Sequence, residues 1–423
     1  MARGISNDDW AAKSFEAGQL FSPSAPIIEH DLFAGRGKEI NKMLSAVSER
    51  GKHVVLFGER GVGKTSLAKI FSGLFPSTLR RIKLVREQVD PSDTFTSIWK
   101  KVFKDFYVRA TREGAEETVP LSSFFEGDIF PDDVRREFEI MFGANDIPII
   151  VIDEFDKSND RKIHELMANT IKSLSDYSIN ATIVIVGVAD DINDLIGEHP
   201  SISRCIEQIP MPRMNSYEMG EILDKRIPKL GMKLHQDARY KIIELARGLP
   251  AYVHLLGLYA TQCAIERRSL QINEIDVDGA IQRTLERSQE SIQAEYSKAT
   301  HSNRKDSLYR QVLLACALAK TDERGQFTPN AVCAPLSDIV GREMGIDNFQ
   351  EHLRKFITPE RGSVLARKGW ERAFKFRFRD PMMQPYVIMR GIEDKLVSQS
   401  AIKALSFPAE PEFDFPSEKR RPT

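Results

Sequence analysis

The sequence predicts an α/β fold: a parallel sheet carrying a phosphate loop, then a helical segment, then a smaller C-terminal unit of helices and a hairpin. Three observations predict it. Between residues 51 and 212, apolar strand-like runs alternate with helical patterns, which is how a parallel sheet reads in one dimension. Within that stretch, Gly58-Glu59-Arg60-Gly61-Val62-Gly63-Lys64-Thr65 spells a full G-x-x-x-x-G-K-[ST] loop between an apolar run and an amphipathic one. After Pro212 the β-branched runs vanish, yet Ala373–Asp380 alternates strictly with period two.

Residues 1–50 read as a lead-in, kept extended by Pro23 and Pro26, followed by a short helix ending near Ser48. The first strand, His53–Phe57, delivers the phosphate loop, and a helix beginning at Lys64-Thr65 turns its N-terminal N–H groups toward an anion. That helix is expected because Leu67, Ile70, Phe71, Leu74 and Phe75 recur at helical spacing. The loop glycines let backbone N–H groups face inward, where side chains would obstruct them. Lys64 would reach the β- and γ-phosphates of a nucleoside triphosphate, and the Thr65 hydroxyl, followed by Ser66, would hold Mg²⁺. Further strands are expected at Thr78–Val85, Pro148–Ile152, Thr182–Val188 and Ile206–Ile209, with helices at Asp93–Tyr107, Asp132–Phe142 and Arg161–Ser175 between them. The third strand ends in Asp153-Glu154, about ninety residues after the loop. Ligands collect at that end of a parallel strand, so Asp153 is a candidate for the Mg²⁺ shell and Glu154 for polarising an attacking water.

Residues 213–300 read as a helical lid with turns near Gly231, Gly248 and Asn273, and residues 301–395 as a separate unit. In that unit Leu308, Val312, Cys316 and Ala319 form one stripe, and Pro329–Val340 is a second helix. Phe349, Leu353, Phe356 and Ile357 form a third, with Asp347 as N-cap and Gln350 three residues on. The alternating Ala373–Asp380 turns Phe374, Phe376 and Phe378 inward and Lys375, Arg377 and Arg379 outward, with Ser363–Arg367 as partner strand. Helix, helix, helix, hairpin is the layout of a winged helix. From Arg354 to Arg379 there are nine basic residues against two acidic ones, in a chain of net charge −1. Arg354, Lys355, Lys375, Arg377 and Arg379 are therefore candidates for phosphate contacts on duplex DNA; a solvated face, or docking on the ATP-binding unit, is the other reading. Residues 396–423 carry four prolines and read as a disordered tail.

Composition narrows the class. With 423 residues, 41% apolar and 29% charged, the chain is expected to be multidomain and globular. Its four cysteines are scattered with no C-x-x-C pair, which argues against a disulfide framework or zinc site and for a cytoplasmic location. No apolar run is long enough to span a membrane, and the N-terminus has no signal-peptide character.

The phosphate loop, the intervening strand and the Asp153-Glu154 strand end together resemble the AAA+ ATPases, nearest their clamp-loader and origin-recognition clade, over about residues 30–290. The resemblance implies ATP as ligand, ATP hydrolysis and a C-terminal winged helix. It also implies that Phe33-Ala34-Gly35-Arg36 packs against the adenine, with Phe33 and Arg36 as contacts. Ser203-Arg204-Cys205 matches the box whose arginine enters a neighbour's site, so Arg204 implies a homo- or hetero-oligomer. Two positions depart from that pattern. The usual polar sensor after the fourth strand is replaced by Ala189-Asp190, and the lid Gly248-Leu249-Pro250-Ala251 lacks its arginine, with Arg247 and His254 as the candidate substitutes. These departures imply slow, partner-dependent turnover. Gly248-Leu249-Pro250 also resembles STAND-type signalling ATPases, in which nucleotide acts as a switch and the winged helix contacts protein. A transposition-type AAA+ regulator shares the core without needing the winged helix. The protein partner is not named by the sequence.

Overall fold

The lead-in before Pro23 is not extended. Residues Asn7–Leu20 form helix α1, opened by a capping box in which the Ser6 hydroxyl accepts from Asp9 N at 3.2 Å and Asp9 accepts from Ser6 N at 3.0 Å. Trp10 and Ala17 are buried on one side of it. A proline restricts its own position and the residue before it, which leaves a capped helix upstream untouched. The computed structural model describes residues 6–23, 32–71, 74, 81–112, 115–142, 146–158, 160–197, 200–303, 307–369 and 374–397. Thr78–Arg80 of the second expected strand, Phe75 of the loop helix and 398–423 of the expected tail lie outside them.

Helix α2 (Gly37–Ser48) precedes strand β1 (His53–Gly58), and α3 (Lys64–Phe71) follows the loop. Then come β2 (Arg81–Gln88), α4 (Phe95–Lys104), β3 (Tyr107–Arg112), β4 (Ala115–Pro120), α5 (Pro131–Met141) and β5 (Asp146–Asp153). Helix α6 (Arg161–Asp176), β6 (Thr182–Val188), the short α7 (Asn193–Ile196) and β7 (Ile206–Met211) complete the sheet-bearing part. Five strands pair in parallel in the order β2-β5-β6-β1-β7. Successive residues of β1 go to opposite cores: Val54 and Leu56 to one, Val55 and Phe57 to the other. Both faces are buried, so these strands read as unbroken apolar runs. The β3–β4 hairpin, unanticipated in the sequence, ends the expected Asp93–Tyr107 helix early.

Past β7, helices α8 (Ser216–Asp224), α9 (Gln236–Ala246), α10 (Pro250–Glu266) and α11 (Glu274–Glu286) pack together, with β8 (Lys233–Leu234) and β9 (Gln271–Ile272) paired between them. Helix α12 (Glu290–Thr300) leads to α13 (Tyr309–Leu318), α14 (Asn330–Val340) and α15 (Gln350–Phe356). The antiparallel hairpin β10 (Leu365–Lys368) and β11 (Lys375–Phe378) follows, and α16 (Met383–Glu393) closes the described chain. Asp347 is not the N-cap of α15; it lies in a 3₁₀ turn, Ile346–Asn348, and Phe349 holds the cap position. Phe376 and Phe378 are buried and Phe374 half-buried, and Phe327 and Phe376 exchange two backbone hydrogen bonds of 2.8 Å that tie the hairpin to the chain between α13 and α14. One apolar core runs without a break from α1 through one sheet face and α8–α11 into α13–α16.

Candidate functional site

At the end of β1 the chain needs three glycines. A Cβ at Gly58 would stand 2.5 Å from Met211 O on β7, and Gly61 and Gly63 have φ of 86° and 96°. Lys64 opens α3 and is buried; its Nζ donates to Gly58 O at 3.0 Å and Glu59 O at 2.7 Å. Burial pushes its amine down to about 8, against the pull of Asp156, Asp153 and Glu59. A buried cation whose hydrogen bonds go to loop carbonyls, at the N-terminus of a helix, favours an anion.

Strand β5 brings Asp153 beside that loop. Its Oδ1 accepts from Thr65 Oγ1 at 3.4 Å and from Glu154 N at 2.9 Å, and its Oδ2 takes Arg86 Nη2 from β2 at 2.5 Å. Glu154 has left-handed backbone, φ 57°, and its Oε2 meets Lys157 Nζ at 2.6 Å. Asp156 accepts from Val188 N at 2.7 Å, which fastens the turn after β5 to the end of β6. Gly61–Ser66, Asp153, Glu154 and Asp156 line one end of a cleft of about 290 Å³. Phe33, Ala34, Met214, Ile222 and His254 line the other, with Pro250 and Ala251 of α10 between. The hydroxyl of Thr65 and carboxylate of Asp153 are hard oxygen donors, the type that suits Mg²⁺. Among the described residues no group of three or more His, Cys, Asp or Glu side chains could hold a metal, so such an ion would need phosphate oxygens as well.

Arg36 lines the cleft but is buried, and donates Nη2 to Val62 O at 3.1 Å and Pro212 O at 2.6 Å, so it braces the loop from behind. Glu59 is buried and accepts Arg213 Nε at 2.8 Å, while Arg213 Nη1 reaches Gln384 Oε1 of α16 at 2.6 Å. Arg60 stands 3.6 Å from Asp380, and a Cβ at Gly61 would come within 3.1 Å of Met382 Sδ. The C-terminal unit thus touches the phosphate loop itself.

Arg204 lies outside the cleft, 73% exposed, with Nη2 2.5 Å from Asp176 Oδ1. Of the basic candidates, Arg354 and Lys355 pair with Glu351 on their own helix, and Arg379 is exposed. Lys375 meets Asp322 at 2.8 Å. Arg377, together with Lys368, pairs with Asp190 just past β6. Arg86, Asp156 and the Glu59–Arg213–Gln384 chain were missed in the sequence, because each acts through an element distant in the chain. Asp190 stood out there only as a departure.

Residues 27–357 match the family described as Novel STAND NTPase 1. No curated protein matches the chain. Among solved structures, a Walker-type ATPase of Pyrococcus abyssi is 16% identical, with 87% of this chain and 99% of that one covered at a TM-score of 0.50. Cdc6p from Pyrobaculum aerophilum is 14% identical, covering 90% and 99%, with a TM-score of 0.45. Orc1 of Aeropyrum pernix, solved in complex with DNA, is 14% identical over 90% and 97%, with a TM-score of 0.43. The fold is α/β, a five-stranded parallel sheet with the phosphate loop at the end of β1, and is similar to that of the Pyrococcus abyssi ATPase.

Proposed function

The chain belongs to the Novel STAND NTPase 1 family, and from that premise we propose that it is a nucleotide-operated switch whose C-terminal unit is released or held according to the state of the phosphate loop. In this reading ATP occupies the cleft. Lys64 grips its β- and γ-phosphates, Thr65 and Asp153 hold Mg²⁺, and Glu154 polarises the attacking water. Mg²⁺, when bound, neutralises phosphate charge; orienting the triphosphate falls to the loop N–H groups. Arg86 would yield Asp153 to the ion or remain behind it as its second partner. Arg204, exposed on the turn ahead of β7, serves a neighbouring copy or related subunit as arginine finger. The unit from α13 to α16 is read as a winged helix.

The observation that carries this reading is the grip of the C-terminal unit on both edges of the phosphate site. Asp190, at the end of β6 where a sensor for the γ-phosphate is expected, is held by Lys368 and Arg377 of the β10–β11 hairpin. Arg60–Asp380 and Glu59–Arg213–Gln384 couple the loop to the residues around the start of α16. A change at the phosphates therefore has a short mechanical path to the hairpin. Duplex DNA is a second ligand in reserve: Arg354, Lys355 and Arg379 are exposed, and undocking would add Lys368 and Arg377 to the same basic face.

Asp190→Asn tests this. It removes the charge that both hairpin cations share, so docking weakens and bound fluorescent ADP should leave about tenfold faster, the effect of ~1.4 kcal/mol. Duplex binding at low salt should strengthen in the same protein. Unchanged ADP release would remove the hairpin from control of the site.

A further inference from the structure

His254 lies on α10, one turn beyond Pro250 and Ala251. Those two face the phosphate loop: a Cβ at Gly63 would meet Pro250 Cγ at 4.0 Å, and one at Gly61 would meet Ala251 Cβ at 3.9 Å. A helical turn rises about 5.4 Å, so His254 lies one turn along α10 from the residues that face the loop, and Phe33, Ala34 and Ile222 line the same cleft. Only 3% of the residue is exposed, and among the described residues neither Nδ1 nor Nε2 has a hydrogen-bond partner. Its ring meets Phe21 edge-on at 6.2 Å, an apolar contact that uses neither nitrogen. The other deeply buried histidine among the described residues differs: His53 Nδ1 accepts from Ile183 N at 3.0 Å and braces two strands. Burial, with Arg226 nearby, pushes His254 down to about 3, so the ring is neutral here and brings no positive charge of the kind a lid arginine would. A neutral imidazole offers one donor and one acceptor. A group of that kind, buried and unpaired, costs stability in the empty protein.

We propose that His254 recognises the base of the bound nucleotide, hydrogen-bonding the polar edge of a purine seated between Phe33 and Ile222. This rests on the reading that the cleft takes a nucleoside triphosphate. The phosphate end holds the charge, and His254 supplies a polar contact at an otherwise mainly apolar base end.

The test compares full-length parent, His254→Leu and His254→Asn in titrations with ATP and with inorganic tripolyphosphate, alongside melting without ligand. His254→Leu should weaken ATP roughly 3- to 10-fold, the size of one hydrogen bond, and leave tripolyphosphate unchanged. His254→Asn keeps a donor and an acceptor and should retain most of the ATP affinity. Without ligand, His254→Leu should melt no lower than the parent, since it removes an unpaired buried polar group. Equal loss for ATP and tripolyphosphate, unchanged ATP affinity, or a lower melting temperature would each overturn the assignment. Should the parent bind tripolyphosphate but not ATP, the base contact alone is refuted; binding of neither refutes the nucleotide reading with it.

Discussion

Lys64 donates to two loop carbonyls, and burial holds its amine near 8 instead of the usual 10.5. Phosphate oxygens would raise that value again, so the bound protein carries more protons than the free one just above pH 8. Affinity for ATP should therefore fall as pH rises through about 8, by at most tenfold per unit, with net proton uptake in calorimetry. Lys64→Arg should flatten that dependence, because a guanidinium stays charged. A flat profile in the parent would mean that solvent or a carboxylate already satisfies the amine. Lys64, Thr65 and Asp153 were legible in the sequence because a contiguous loop and a strand end impose them. Arg86 was not, and His254 stood out only as a stand-in for the lid arginine: a lone arginine in a strand and a lone histidine in a helix carry no pattern of their own. Their meaning comes from Asp153 on the neighbouring strand and from a cleft assembled by α8, α10 and the segment ahead of α2.

The three inner strands β5, β6 and β1 were legible because burial on both faces leaves runs of apolar residues, the edge strands β2 and β7 only by shorter ones, and the ends moved by only a few residues. The β3–β4 hairpin was not, since Arg109, Glu116 and Glu117 are exposed and few of its residues are apolar on either face. Helix α16 was missed for the opposite reason. Nearly every residue from Met383 to Met389 is buried, so no amphipathic stripe forms, and Pro385 is tolerated in the first turn. The turn Pro200–Cys205 ahead of β7 carries Arg204 out to solvent, where Asp176 is its partner. An arginine finger is typically worth ~10³–10⁵ in rate, far more than an exposed ion pair of ~0–1 kcal/mol. Arg204→Ala and Glu154→Gln proteins, each inactive alone, should recover part of the ATPase activity when mixed. No recovery, with specific activity independent of concentration, would leave Arg204 as a surface ion pair.

At the scale of the whole molecule, a continuous core joins α1, the lid helices and the C-terminal unit, and charged pairs rather than apolar contacts fasten the hairpin to the sheet end. The buried Glu59–Arg213 pair is the costliest to break; loss of one partner in such a pair typically costs ~3–5 kcal/mol. A switch built this way stays shut until something at the phosphates shifts the loop that Glu59 and Arg60 belong to. The docking was legible in the sequence only as the second reading of the hairpin's basic face, after duplex DNA, and the carboxylate that receives it, Asp190, was not. The most direct test places spin labels at Tyr177→Cys and Arg354→Cys, both exposed, with Cys263 and Cys333 changed to Ser and Glu154→Gln to prevent turnover. The interlabel distance should be single and unchanged without nucleotide and with ADP, and should gain a longer population with ATP. One identical distribution in all three states would contradict the account.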